Sequence, residues 1–187
     1  MPLNMSNQWV TIAQRALARI GNTTISSLDQ GTPPANYAQT LLPEAVQSVY
    51  DQFDWKSSIK RVQLSQLTTV PLYEWDYAYQ LPNDFARLIG TSSSNAYSIE
   101  NETLLSDDEE LYITYIAYPL EATDIPGHLS HLLVTYLAFL LSTPLTSNES
   151  TTQRLLAEYN MALEQAKRDA NAGVYEEPGT DWYGDLR

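Results

Sequence analysis

The spacing of apolar residues changes twice along this chain of 187 residues, and this change constrains its fold more than any other feature. Up to Phe53 the apolar residues recur at steps of three and four, which is the period of a helix that buries one face. Between residues 58 and 123 they alternate with polar neighbours, as in β-strands, and helical spacing returns from Asp124. The sequence therefore predicts an α+β protein. A bundle of about four helices carries an inserted small antiparallel β meander and continues into an extended C-terminal arm.

The same change of period sets the predicted boundaries. The helical bundle is discontinuous and comprises residues 1–57 and 124–173, the β lobe comprises residues 58–123, and the arm comprises residues 174–187. The first helix runs from Trp9 to Gly21, which has the place of a C-cap glycine. The second opens at Pro33, and Pro43 lies inside its apolar stripe, so we expect a kink or a late start there.

The last two predicted helices differ in how much of their surface is apolar. Residues 129–141 are apolar nearly all round, which predicts burial on several sides, and Pro144 should end that helix. The segment is shorter than the roughly 20 residues that a membrane span requires. Ser150 and Gln153 have the spacing of a capping box and should open the last helix, which Gly173 should end.

The clearest strand is the run 73–81, where an aromatic residue occupies every second position. Side chains alternate between the faces of a strand, so Trp75, Tyr77 and Tyr79 should share a buried face, while residues such as Ala78 should lie on a wet one. One interpretation is that this aromatic face forms the core of the β lobe. The other is that it contacts a neighbouring subunit or a tail protein, since Tyr and Trp offer a large contact area with a polar tip.

Turn residues divide the rest of the β region. Leu81 and Pro82 should begin a corner between two strands, and Arg87 just beyond it joins Trp75, Tyr77 and Tyr79 as a candidate contact with a neighbour. Residues 100–102 are predicted to form a hairpin tip, and residues 107–109 a second turn.

Composition excludes several classes of function. The formal net charge of −13 opposes binding to a phosphate backbone, and the densest basic group is only Lys56, Lys60 and Arg61. An acidic surface suits either a soluble protein or a channel through which DNA passes without binding. The absence of cysteine excludes disulfides, thiol catalysis and thiolate metal sites. The N-terminus has no basic region followed by an apolar one, so we expect synthesis in the cytoplasm rather than secretion.

The sequence offers little for catalysis. His128 and His131 lie three residues apart, but no third ligand has metal-site spacing, so packing or capping is the favoured role. The acidic run 107–110 has the character of a solvated turn. Phosphate-binding and nucleophile-elbow motifs are absent. We therefore predict a protein that is not an enzyme and uses no cofactor and no metal.

The C-terminal residues 174–187 have no periodicity but retain three large aromatic side chains among acidic residues, glycine and proline. Free solubilising tails seldom carry such residues, so we predict an arm that docks on a partner, with a frayed terminus as the alternative. The candidate contact residues are Tyr175, Trp182 and Tyr183.

Several short pieces occur in a characteristic order: Ala16-Leu17 with Ile20-Gly21, Ser27-Leu28-Asp29, Trp55, and Tyr77, Tyr79, Leu81 and Pro82 with Asp84 and Arg87. In this order the chain resembles the phage head-to-tail adaptor family, in particular the tail tubular protein A or tail accessory factor type of short-tailed phages. The resemblance extends from Trp9 to about Ala172.

This resemblance implies a structural virion protein that forms a homo-oligomeric ring, usually dodecameric, at the head-tail junction. Such a ring joins the portal protein to the tail nozzle or tube, and DNA passes through its channel during genome ejection without specific binding. The family places the helical bundle beside the portal, the β part toward the tail and the C-terminal arm along the portal. It implies assembly in the host cytoplasm and no membrane partner. Two alternatives stay open, namely a neck or stopper protein of a long-tailed phage and a peptidoglycan hydrolase.

Overall fold

The computed structural model describes residues 7–69, 71–146 and 148–171. In these ranges the chain forms four α-helices, α1 (Asn7–Arg19), α2 (Pro33–Asp51), α3 (Gly127–Leu145) and α4 (Glu149–Asn171). Between α2 and α3 lie seven strands, β1 (Ile59–Gln63), β2 (Ser65–Gln66), β3 (Tyr77–Gln80), β4 (Phe85–Thr91), β5 (Tyr97–Glu100), β6 (Thr103–Ser106) and β7 (Tyr112–Ala117). The predicted α+β class, with four helices and small antiparallel sheets, is confirmed. Gly173 and the predicted arm lie outside the described residues.

The first two helices follow their predicted start and stop signals with one exception. Gly21 has a φ of 70°, and the amides of Gly21 and Asn22 donate to the carbonyl oxygens of Ala18 and Leu17, which is the bonding of a Schellman C-cap. Helix α2 begins at Pro33 and continues through Pro43, so the late start that we expected is wrong. A proline removes only one donor from the helix, and burial of the stripe on both sides of it maintains the rest.

The third helix is the centre of the bundle. It packs against α1, α2 and α4, and buried residues occur all round it, as the sequence predicts. It ends at Leu145, one residue beyond the predicted stop at Pro144, because the amide of Thr146 still donates to the carbonyl of Ser142. Helix α4 is capped by Asn148, whose side-chain oxygen accepts from the amide of Ser150 at 3.1 Å, so the predicted capping box is wrong.

Among the described helices, α3 has the length and apolar composition of a membrane span. Half of its most apolar window is buried inside the protein, and the core helix of a soluble protein passes the same test. Its contacts with the other three helices account for that apolar surface.

The strands form two antiparallel sheets rather than one meander. The first sheet has the order β1-β7-β4 and the second the order β2-β3-β6-β5. Strand β7 separates two cores, because Ile116 packs with the helices while Ile113 and Tyr115 pack with Tyr79 and Leu104 of the second sheet. The first sheet is therefore the middle layer of the molecule.

The hairpin of β5 and β6 has its tip at the predicted place. Asn101 and Glu102 have φ values of 46° and 66°, as the favoured two-residue hairpin loops require. The pairing of Glu100 with Thr103 closes this loop.

The aromatic run differs from its prediction in two respects. Strand β3 starts at Tyr77 rather than at residue 73, and Glu74 just before it has a left-handed φ of 70°. Ala78 is buried rather than exposed to solvent. Together with residues of the preceding loop, among them Leu67 and Trp75, it lines a cleft of about 400 Å³. The loop thus covers part of the sheet face that we expected to meet solvent.

Candidate interaction surface

Asp84 is the one buried carboxylate in the described part of the chain. Its Oδ2 accepts a hydrogen bond from Lys60 Nζ at 2.6 Å, and its Oδ1 accepts one from the hydroxyl of Tyr115 at 2.9 Å. Burial, reinforced by the carboxylate, raises the pKa of Tyr115. These partners belong to β1 and β7, so Asp84 fixes the strands of the first sheet to each other. A buried carboxylate whose two oxygens both accept hydrogen bonds in this way stabilises the fold.

Two polar contacts join the helical bundle to the β lobe, and a third, made by Trp55, lies within the bundle at the end of α2. The indole Nε1 of Trp55 donates to the carbonyl oxygen of Val49 near the end of α2 at 2.8 Å, in a fully buried position. Arg87 on β4 pairs with Asp54, and the hydroxyl of Tyr118 donates to Asp51 at 2.9 Å. Burial also raises the pKa of Tyr118, with Asp51 as the second cause. The helical bundle and the β lobe are therefore held together by specific side-chain contacts.

The structure does not bring the four predicted lobe contacts together. Tyr79 is 1% exposed and donates its hydroxyl hydrogen to the carbonyl of Asp108, and Tyr77 packs partly buried against the same core. Burial raises the pKa of Tyr79. Trp75 precedes the strand and lines the cleft, while Arg87 lies in the other sheet. Tyr79 thus has a core position, and Trp75 and Arg87 retain exposed surface.

The loop before β3 carries two highly exposed apolar side chains, and the sequence assigned this segment to a strand from residue 73 onward. Leu72 is fully exposed and Tyr73 is 74% exposed. Pro71 and the left-handed Glu74 flank this pair and prevent it from continuing the ladder of β3. Pro71 is the signal in the sequence that could have predicted that Tyr73 lies outside the strand and is not on its buried face.

Sequence reasoning also missed two exposed sheet edges. Strand β1 is an outer strand of the first sheet, as is β4, and β5 is an outer strand of the second sheet, as is β2. Within the described residues β1 and β5 each pair on one side only. Their exposed apolar side chains are Val62 on β1 and Tyr97 and Ile99 on β5. Unpaired strand edges of this kind are templates for pairing with another chain.

The two histidines line a groove of about 590 Å³ between α3 and α4, together with residues such as Arg19 and Met161. His128 Nε2 lies 3.4 Å from the hydroxyl of Ser57, and the His128 ring centroid lies 6.3 Å from that of Trp55. Among residues 7–69, 71–146 and 148–171 there is no group of three or more side chains able to hold a metal ion.

Tyr175, Trp182 and Tyr183, the predicted contacts of the arm, lie outside the described residues. The comparisons add no relative, since the sequence matches no family model and no curated protein. What the fold itself defines is an α+β protein with a helical core, a two-sheet lobe and exposed apolar surface concentrated on that lobe.

Proposed function

We propose that this chain is the head-to-tail adaptor of a phage virion, a structural protein that forms a ring between the portal and the tail nozzle or tube. The proposal begins with the order of the sequence pieces that resembles the adaptor family. The division into helices and inserted antiparallel sheets is the architecture that this resemblance implies, which supports it.

The observation that carries the proposal is the position of the most specific pieces. Arg87 pairs with Asp54 across the junction between the helical bundle and the β lobe, Trp55 donates to Val49 within the bundle just before that junction, and Asp84 accepts from Lys60 inside the lobe. Residues shared with a family for their role in its fold are expected to make defined contacts of this kind. Their placement therefore supports the resemblance at the level of architecture.

The surface supports a role in assembly. A ring built by head-to-tail contacts needs two different complementary faces on each subunit. Most of the exposed large apolar side chains of the described residues belong to the β lobe: Val62, Leu72, Tyr73, Ile89, Tyr97, Ile99, Tyr112 and Leu120. Exposed aromatic and aliphatic groups of this density suit contacts with a neighbouring subunit or a tail protein.

The charge of the chain suits a channel for DNA. With a net charge of −13, the ring as a whole repels the phosphate backbone, and a passing duplex is not retained by counterion-releasing contacts. In this proposal the helical bundle lies beside the portal, the β lobe faces the tail, and the arm with Tyr175, Trp182 and Tyr183 extends along the portal.

The proposal is tested by mixing the purified chain with the portal protein encoded in the same genome and following both by sedimentation. An adaptor co-sediments with the portal at a fixed stoichiometry and leaves isolated cell walls intact. Clearing of cell walls that is lost on substitution of a single Asp or Glu would favour the peptidoglycan hydrolase instead. Attachment to another neck ring rather than to the portal would favour a stopper.

A further inference from the structure

Two of the four outer strands in the described sheets, β1 and β5, carry opposite charges. Strand β1 reads IKRVQ, and of its two cations Arg61 makes no ion pair within the described residues. Strand β5 reads YSIE and ends in Glu100, with Glu102 next to it in the hairpin loop. We refer to β1 as the basic edge and to β5 as the acidic edge.

The edges match each other in length and in apolar content. The basic edge has five residues and the acidic edge four. Val62 is 37% exposed on the basic edge, and Ile99 is 41% exposed on the acidic edge, so each edge offers an aliphatic side chain beside its charge. Two such strands can form a ladder of main-chain hydrogen bonds and bury these side chains against each other.

The charges select between possible pairings. Two basic edges repel each other, as do two acidic edges, whereas a basic edge and an acidic edge attract. Charged residues on an edge strand are a common protection against unwanted pairing, and here they protect against like edges only. Of the other two outer strands, β2 has only two residues, and β4 contacts α2 and has its Arg87 paired with Asp54. The partner that fits the basic edge or the acidic edge is thus the other of these two edges in a second copy.

We propose that the ring is built by pairing the basic edge of one subunit with the acidic edge of the next. This inference rests on the proposed function, because it specifies how the subunits of that ring are joined. The contact is heterologous, so each subunit uses both edges, and repetition of the contact gives a closed ring if the rotation between neighbours permits it. Arg61 lies opposite Glu100 or close to it across each contact.

A charge exchange tests the pairing. Arg61→Glu places two acidic groups at each contact, and Glu100→Arg places two basic groups there, so either variant alone is expected to lower the yield of rings about ten-fold. The double variant Arg61→Glu with Glu100→Arg restores opposite charges and should recover the wild-type yield. Failure of the double variant to recover while its thermal unfolding is unchanged would overturn the proposal.

Cross-linking provides a direct reading because the natural chain contains no cysteine. Full-length variants with Val62→Cys and Ile99→Cys, or with Val62→Cys and Tyr97→Cys, cover two registers of the ladder. In the presence of the portal, oxidation of one of these two double-cysteine variants should give a series of covalent multimers on a denaturing gel. Val62→Cys alone and Ile99→Cys alone are the controls and should remain monomeric on a denaturing gel.

The outcomes separate this inference from the proposed function. Rings on the portal without cross-links in either register would overturn the edge pairing and leave the adaptor proposal standing. A ladder formed by the free protein with no binding to the portal would support the edge pairing and count against the adaptor. Dimers of Val62→Cys alone would show that like edges meet and would overturn the heterologous contact.

Discussion

The hydroxyl of Tyr115 donates a 2.9 Å hydrogen bond to Oδ1 of Asp84 inside the β lobe, where both side chains are buried. Asp84 follows the Leu81-Pro82 corner, so this bond fixes the corner to the central strand of the first sheet.

Tyr115→Phe removes the buried donor of this bond and should lower the free energy of unfolding by about 1–3 kcal/mol. Tyr112→Phe on the same strand is the control, since its side chain is 48% exposed and its hydroxyl has no hydrogen-bond partner among the described residues. Urea unfolding of both variants measures the difference. Equal stability of the two variants would contradict the role assigned to Asp84.

Trp55→Phe should cost about 2–4 kcal/mol, because it removes the hydrogen bond to the Val49 carbonyl and leaves a cavity at the end of α2. Trp75→Phe is the matched control, since Trp75 lies outside the strands and is only partly buried. It should change the stability by less than about 1 kcal/mol. A larger loss of stability in Trp75→Phe than in Trp55→Phe would contradict the structural role assigned to Trp55.

Gly21→Ala should destabilise the protein by about 1 kcal/mol, because the Schellman cap holds Gly21 at a positive φ. Gly90→Ala is the control, as a Cβ at Gly90 meets no atom within 4 Å and the φ there is ordinary. We expect that variant to stay within about 0.5 kcal/mol of the wild type. Thermal unfolding of both proteins checks the prediction, and an equal loss in both would contradict it.

Stability should fall in alkaline solution through Tyr50. Burial raises the pKa of Tyr50 from 10.0 to about 12 in the folded protein. Because the folded value lies above the unfolded one, the stabilisation is complete below pH 10 and is lost as the pH rises toward 12. Tyr50→Phe should remove about 2–3 kcal/mol of this pH dependence, whereas Tyr37→Phe, at an exposed position, should leave it unchanged. Identical pH profiles of the two variants would contradict the assignment.

The arm gives a prediction about binding. Replacing Tyr175, Trp182 and Tyr183 together by Ala should weaken attachment to the portal by about ten-fold or more, because aromatic anchors dominate such contacts. Deleting residues 174–187 should do the same while thermal unfolding stays as in the wild type. Glu176→Gln with Glu177→Gln is the control in the same segment. Undiminished binding by the truncated chain would refute the role of the arm.

The sequence predicted those parts of the fold that depend on local period and local turn chemistry. The C-cap at Gly21 and the tip of the β5–β6 hairpin are set by residues within a few positions, and both were found where predicted. The burial of α3 followed from its nearly uniform apolar surface.

The errors arose where distant contacts override local pattern. Ala78 has the position of a solvent-facing strand residue, but the loop carrying Leu67 and Trp75 covers it. The alternation of apolar and polar residues cannot predict a contact of this kind. Likewise Pro43 suggests a helix start, yet burial on both sides keeps α2 continuous. The opposite charges of β1 and β5 can be read from the sequence. That they could attract each other across a subunit contact depends on both strands being sheet edges, which the sequence does not show.

Imaging of the assembled neck tests the central claim most directly. The full chain is mixed with the portal protein of the same genome, and the mixture is examined by cryo-electron microscopy. The account predicts an additional ring beneath the portal with the portal's own rotational symmetry and an open central channel. A portal that remains bare at saturating protein, or a chain that binds without forming a ring, would contradict it.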